Sequence, residues 1–174
     1  MVFFALNNRE YKSIEYNGGS FQGCINLRYF EMPETITHIN DYAFSGCTMM
    51  FDLEYTEEEI KNFFRNIKTI NNRAFVSCGG QGKTFYLPAG LQVINERGFF
   101  YGKPSNVVFG APGEPSQYNP ILYDGENGLG IFDEAPYLTK ITIYTDDVSN
   151  AKWETLKEQI GKINQAWTWE VLQA

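Results

Sequence analysis

Histidine occurs once in this 174-residue chain and cysteine three times, and the 14 Lys and Arg are outnumbered by 21 Asp and Glu. The single histidine, His38, has no Ser or Cys nucleophile sharing its place in the pattern, so no hydrolytic or transfer constellation is spelled out and it reads as a surface residue. The cysteines form no CxxC pair and have no His cluster nearby, which excludes the usual zinc and thiol redox motifs. No Asn-x-Ser/Thr acceptor occurs, and no run approaches the roughly 18 apolar residues of a membrane span. Met1-Val-Phe-Phe-Ala-Leu6 lacks the basic and apolar regions of a secretory signal. These absences lead to the expectation of a cytoplasmic protein, or of a virion or cell-surface segment if the sequence belongs to a longer chain. The formal charge of −7 and the pI of about 4.8 disfavour a nucleic-acid backbone and favour a protein partner with a basic surface.

What the sequence does contain is a repeat. Leu27-Arg-Tyr-Phe30-Glu-Met32-Pro33 is an apolar strand ending in Pro, followed by Ile36-x-x-Ile39 and then Ala43-Phe44-x-x-Cys47. Phe21-x-x-Cys24 lies one copy earlier, Ile67-x-x-Ile70-x-x-x-Ala74-Phe75-x-x-Cys78 one copy later, and Leu91-x-x-Ile94-x-x-x-Gly98-Phe99-x-x-Gly102 after that. A fifth copy, Ile131-Phe132-x-x-Ala135-x-x-Leu138, has drifted further. Aligned on the cysteine slot, the copies are 23, 31, 24 and 33 residues apart. A period of this size means stacked units, each unable to bury its apolar face alone. The slot accepts Gly and Ala, so Cys24, Cys47 and Cys78 are expected to be reduced, buried small hydrophobes. Cys24 and Cys47 would lie one above the other, where a bridge is conceivable under oxidising conditions but not needed.

Two of the spacings carry insertions, at about 56–66 and 112–128. The first has a capping box at Thr56 and Glu59, followed by Ile60, Phe63, Phe64 and Ile67 at helical spacing, which predicts a short amphipathic helix along the flank of the stack. The second is rich in Pro and Gly and reads as a long loop, with Ile121, Leu122 and Tyr123 folding back on the body. Phe3, Phe4, Leu6 and Tyr16 suggest a degenerate opening copy. Thr139–Thr145 alternates as a strand. Beyond it, Asp147 or Ser149 is expected to cap a helix carrying Trp153, Leu156 and Ile160 on one face, with a stop at Gly161, and Trp167, Trp169 and Val171 alternate as a final strand. The domain expectation is a repeat body over 1–145 and a C-terminal cap over 146–174.

With Phe44-x-x-Cys47-x-x-Met50-x-x-Leu53 and its equivalents at Phe21 and Phe75, the chain resembles the BspA-type leucine-rich repeat. The resemblance covers about residues 14–143. It implies a strand-rich α/β fold, a leucine-rich-repeat solenoid of parallel strands, here with a helix-plus-strand C-terminal cap. The family occurs mainly in bacterial and protist surface proteins that bind other proteins or host matrix, and in phage-encoded proteins. Gly102 and Ala135 in the cysteine slot, Gly98 in the alanine slot and the two insertions depart from the pattern.

The function expected is a non-catalytic protein-interaction module with no cofactor and no metal. The alternatives are a structural or receptor-binding segment of a phage tail or bacterial surface assembly, and a small phage-encoded inhibitor of a host protein. If Leu27, Phe30 and Met32 point inward, alternation turns Tyr29 and Glu31 outward, and the same register exposes Asp52 and Glu54 on the next strand and Tyr86 beyond. This stacks Tyr29 on Asp52, and Glu31 on Glu54 on Tyr86. Paired like charges cost about 0.2–1 kcal/mol, which a cationic partner would relieve; the competing reading is an acidic face kept for solubility. The helix after Tyr55 is expected to overhang the same edge. Gly79-Gly-Gln-Gly-Lys-Thr84 ends like a phosphate loop, but residue 77 is Ser and a strand follows, so an inter-repeat turn is the better reading. Asp124, Glu126 and Asn127 do not match the calcium-loop spacing and read as an acidic turn.

Overall fold

The Ala-Phe turn is the unit from which the fold is assembled. In the computed structural model, which describes residues 19–52, 55–99, 101–119, 131–132, 135–160 and 167–174, the rings of Phe21, Phe44, Phe75, Phe99 and Phe132 form one column. Successive centroids are 5.2, 5.4, 5.1 and 5.3 Å apart, with interplanar angles of 9°, 4°, 6° and 12°. The expected opening strand with Tyr16, residues Leu53 and Glu54, the centre of the second insertion and Gly161 lie outside the described residues.

The backbone repeats with the rings. The amides of Phe21, Phe44, Phe75 and Phe99 donate to the carbonyls of Ala43, Ala74, Gly98 and Ile131 in the next copy, at 2.8, 2.9, 2.8 and 2.8 Å. Two residues before the ring, Tyr42, Arg73 and Arg97 adopt φ of 57°, 55° and 55°; two after it, Gly23, Gly46, Ser77 and Tyr101 adopt φ of 73°, 77°, 55° and 52°. Glycine takes this left-handed conformation freely, whereas the other residues are held there against a cost of about 1–2 kcal/mol each. Four residues before the ring, Asn71 Nδ2 donates to Asn40 Oδ1 at 3.3 Å and Asn95 Nδ2 to Asn71 Oδ1 at 2.8 Å.

In chain order the elements are β1 (His38–Ile39), α1 (Glu57–Phe64), β2 (Thr69–Ile70), β3 (Thr84–Leu87), β4 (Val93–Ile94), β5 (Asn106–Phe109), β6 (Lys140–Thr145), α2 (Ala151–Ile160) and β7 (Thr168–Gln173). The fold is strand-rich α/β with two parallel sheets. One is ordered β1-β2-β4 and buries Ile39, Ile70 and Ile94 in register. The other is ordered β3-β5-β6-β7, and its inward rows are Phe85, Val107, Ile141 and Trp169, then Leu87, Phe109, Ile143 and Val171. The β-branched and aromatic content of these rows suits a pleated surface with one buried face.

Several expectations change. Residues 27–32 are irregular, for a reason given below. Strand alternation turns Thr142 outward, yet it is buried beside Glu170 of β7, and Gly110 is buried with φ of 72° at the end of β5. Asn150, rather than Asp147 or Ser149, caps α2, its side chain accepting from Lys152 N at 3.0 Å. Asp147 instead accepts from the amide and hydroxyl of Ser149, which hold its carboxyl below the usual range. In α2, Trp153 and Leu156 are buried. Residues 116–119 of the second insertion are tied down: Gln117 and Asn119 donate to Ala89 and Gln92, and Ser116 to Tyr144.

The cysteine slot also divides. Cys47 and Cys78 are buried, their thiols donating to the carbonyls of Phe21 at 3.1 Å and Phe44 at 2.9 Å, each in the preceding copy. Burial pushes the Cys47 thiol up to about 12 and Cys78 well above its ordinary value. Cys24 is exposed, contrary to expectation: it belongs to the first described copy, with no earlier described turn to receive its thiol. All three are free.

Truncating Phe44, which stacks between Phe21 and Phe75 and is wholly buried, removes contacts on both sides. Phe44→Ala should cost roughly 3–5 kcal/mol in chemical denaturation. A variant with an unchanged midpoint would contradict the column.

Candidate protein-interaction surface

The surface is built around α1, which interrupts the strand layer rather than lying along the flank. Thr56 caps it: its hydroxyl accepts from Glu59 N at 3.2 Å while Glu59 Oε2 accepts from Thr56 N at 2.7 Å, the reciprocal pair foreseen. The Thr56 amide first, and then the Thr56 hydroxyl, which donates to Glu59 Oε2 at 2.7 Å, hold the Glu59 carboxyl below its ordinary value. Ile60, Phe63 and Phe64 are buried. Phe63 meets Phe30 at 6.3 Å and Phe44 at 5.7 Å, whereas Phe64 meets Phe85 of β3 at 5.6 Å. The helix therefore sits between residues 27–32 and β3, where a flat ladder would have placed a strand.

This explains why residues 27–32 form no strand. Without a neighbouring strand on the α1 side, the backbone of Phe30 needs another partner, and one side chain provides it. The Tyr55 hydroxyl accepts from Phe30 N at 2.7 Å and donates to Phe30 O at 3.0 Å. Burial is the first cause of the raised Tyr55 pKa. The Tyr55 carbonyl in turn accepts from Lys83 Nζ at 2.7 Å.

A cleft of about 210 Å³ lies between residues 29–34 and α1. Tyr29, Phe30, Met32 and Phe63 give it apolar walls, and Glu31, Glu34 and Glu59 line it with carboxylates beside Asn62 and Arg65. Arg65 Nη2 bonds Glu34 Oε1 at 2.9 Å, an exposed pair of small energetic weight. Tyr29 is 38% exposed and packs its ring 5.0 Å from that of Tyr55; burial first, then the Glu59 and Glu31 charges, raise its pKa.

Of the residues singled out in the sequence, Tyr29 and Glu31 share this cleft, and α1 overhangs their edge as expected. Tyr29 does not stack on Asp52. Asp52 Oδ1 accepts from Gly80 N at 2.8 Å, clasping the Gly79–Gly82 loop. At Gly79 an added Cβ would lie 2.2 Å from Met50 O and 2.6 Å from Asp52 Oδ1, so only glycine lets the loop approach. An internal carboxylate thus occupies one amide of the stretch that resembled a phosphate loop, and Lys83 is committed to Tyr55. Tyr86 stands on the far side of α1, beside Val108 in the sheet; its hydroxyl donates to Glu57 Oε2 at 3.2 Å and Lys61 Nζ lies 4.5 Å from its ring centroid. Glu54 lies outside the described residues. Glu59, Phe63 and Tyr55 were missed as site residues. The capping box of Glu59 and the helical spacing of Phe63 are visible in the sequence, but a helix replacing a strand leaves no local signature of what it will touch.

Short parallel strands, a stacked phenylalanine column and a side-chain asparagine ladder together define a repeat protein of parallel architecture. The chain belongs to the BspA type leucine rich repeat family, whose model matches residues 14–109 in six copies. Phe132, beyond the matched span, continues the column. No curated protein and no solved structure matches the chain. Among the described residues no helix is long and apolar enough to cross a membrane.

Tyr55→Phe tests the substituted partner. It leaves Phe30 N and O without their bonds and should destabilise by roughly 1–3 kcal/mol, with faster hydrogen exchange at the Phe30 amide. Unchanged stability and exchange would show that the clamp contributes nothing.

Proposed function

We propose that this chain is a non-catalytic protein-interaction module that takes a partner with a basic surface at the cleft beside α1. Tyr29 and Glu31 line it, and Tyr86, on the far side of α1, contributes to the wider face; Asp52 is engaged with Gly80 and Glu54 lies outside the described residues. The family membership supports the class of function, and one observation supports the location: the strand layer is broken by α1 where aromatic walls and three carboxylates meet around an open cleft. The exposed Tyr29 and the half-buried Phe30 supply aromatic contact area, while the carboxylates steer a cationic partner and fix its register.

The same reading takes residues 1–145 as a leucine-rich-repeat solenoid with insertions at about 56–66 and 112–128, and residues 146–174 as its cap. The pairing of β7 along the far edge of β6, and the burial of Trp153 and Leu156 in α2, support the capping role. Residues 116–119 of the second insertion are tied to the body through Ser116, Gln117 and Asn119.

The probe is a short extended peptide of alternating Arg and Ser, titrated into labelled protein and followed by amide chemical shifts. The expected result is a cluster of shifts at Tyr29, Glu31, Met32 and Asn62, lost with rising salt. Glu31→Lys should weaken binding roughly tenfold, about 1.4 kcal/mol. Shifts spread evenly over the acidic surface, or indifference to Glu31→Lys, would remove the site from the cleft.

A further inference from the structure

We propose that Cys24 and Cys47 form a thiol modification site: exposed Cys24 exchanges with a low-molecular-weight disulfide, and Cys47 then displaces the adduct to close an intrachain bridge between consecutive copies.

The two residues hold the same slot, 23 positions apart, in copies whose stacked rings are 5.2 Å apart. Two bonds fasten these turns, Phe21 N to Ala43 O and Gly23 N to Ser45 O, both at 2.8 Å. Adjacent parallel backbones are about 4.8 Å apart, inside the roughly 4.4–6.8 Å Cα window of a disulfide. The Phe21 carbonyl, moreover, accepts from Cys24 N at 3.0 Å and from Cys47 Sγ at 3.1 Å, so the buried thiol already reaches into the turn that carries Cys24. Cys78 repeats the arrangement beneath Cys47, donating to Phe44 O at 2.9 Å, but both members of that lower pair are buried. Exchange needs a thiolate and access for the incoming disulfide, and Cys24 alone of the three is exposed.

The chemistry balances with glutathione disulfide as the oxidant. Cys24 thiolate attacks one glutathione sulfur, forming the mixed disulfide and releasing one glutathione thiolate. Cys47 loses its proton to solvent base and attacks the Cys24 sulfur; a new S–S bond forms and the second glutathione leaves as thiolate. Two protein thiols are oxidised and one external disulfide is reduced to two thiols. Burial pushes Cys47 up to about 12, so the second step is the slow one near neutrality and quickens as pH rises.

The test incubates native protein with glutathione disulfide and follows intact mass and non-reducing peptide maps over time. Expected first is a single adduct on Cys24, then a species two hydrogens lighter than the reduced chain, with Cys24 joined to Cys47 and Cys78 still free. Closure should accelerate roughly tenfold per pH unit between pH 7 and 9, and the thermal midpoint of the bridged form should exceed that of the reduced form. Cys47→Ser should stop at the adduct, and Cys24→Ser should leave Cys47 and Cys78 unmodified until denaturant is added. An adduct that never closes, no adduct on folded protein, a bridge to Cys78, or modification of folded Cys24→Ser at the wild-type rate would each overturn the proposal.

Discussion

Phe44, Phe75 and Phe99 are each fastened twice, by the ring to the rings above and below and by the amide to a carbonyl of the next copy. The strands could not hold the stack by themselves. Those of the first sheet are only two residues long, far below the length at which strand pairing is stable in water. Burying a column of rings supplies the driving force, and the amide ladder sets the spacing at which the rings can lie parallel. The left-handed residues on either side of each ring follow from this: Tyr42, Arg73 and Arg97 adopt a conformation they would not choose, because the turn they close is over-determined by its neighbours. The asparagines at 40, 71 and 95 add a second ladder in the same register, satisfying polar side chains at the edge of the core.

With that column in place, the outer layer is free to vary. On one side of β3 the sheet runs regularly through β5 and β6 to β7, with Lys140 and Glu170 pairing at 2.8 Å on the outward face. On the other side α1 takes the space of a strand. A helix is wider than a strand and offers no backbone partners, so the chain before it must be satisfied by side chains. Tyr55 does this for Phe30. The mismatch in width opens the cleft beside Tyr29 and Glu31, and the aromatic cluster around Phe63 closes its floor. The candidate interaction surface is thus a product of the irregularity, in a fold whose regular parts are devoted to stability.

Much of this was legible from residue types alone. The common slot of five phenylalanines, the helix with its capping box, the inward rows of β3 and β5, and the burial of Cys47 and Cys78 all follow from local pattern. The asparagine ladder was equally present, in Ile39-Asn40, Ile70-Asn71 and Ile94-Asn95, and went unread because a polar residue beside a core isoleucine looks like an ordinary turn residue. Asp52 was misplaced because alternation assigns a face but does not say when a carboxylate will turn to clasp a glycine amide.

By itself, then, the sequence determined the repeat, its period and which side chain of each copy enters the core, since these depend on spacing within one unit and on the burial of apolar surface. Only the tertiary structure decided that α1 replaces a strand, that Tyr29 and Glu31 face Glu59 across a cleft while Tyr86 stands on the other side, and that Cys24 is exposed where Cys47 is not. These outcomes depend on what the neighbouring copy presents. A position in a repeat can carry the same residue from copy to copy, as Cys24 and Cys47 do, but its surroundings are set by what the neighbouring copy places against it.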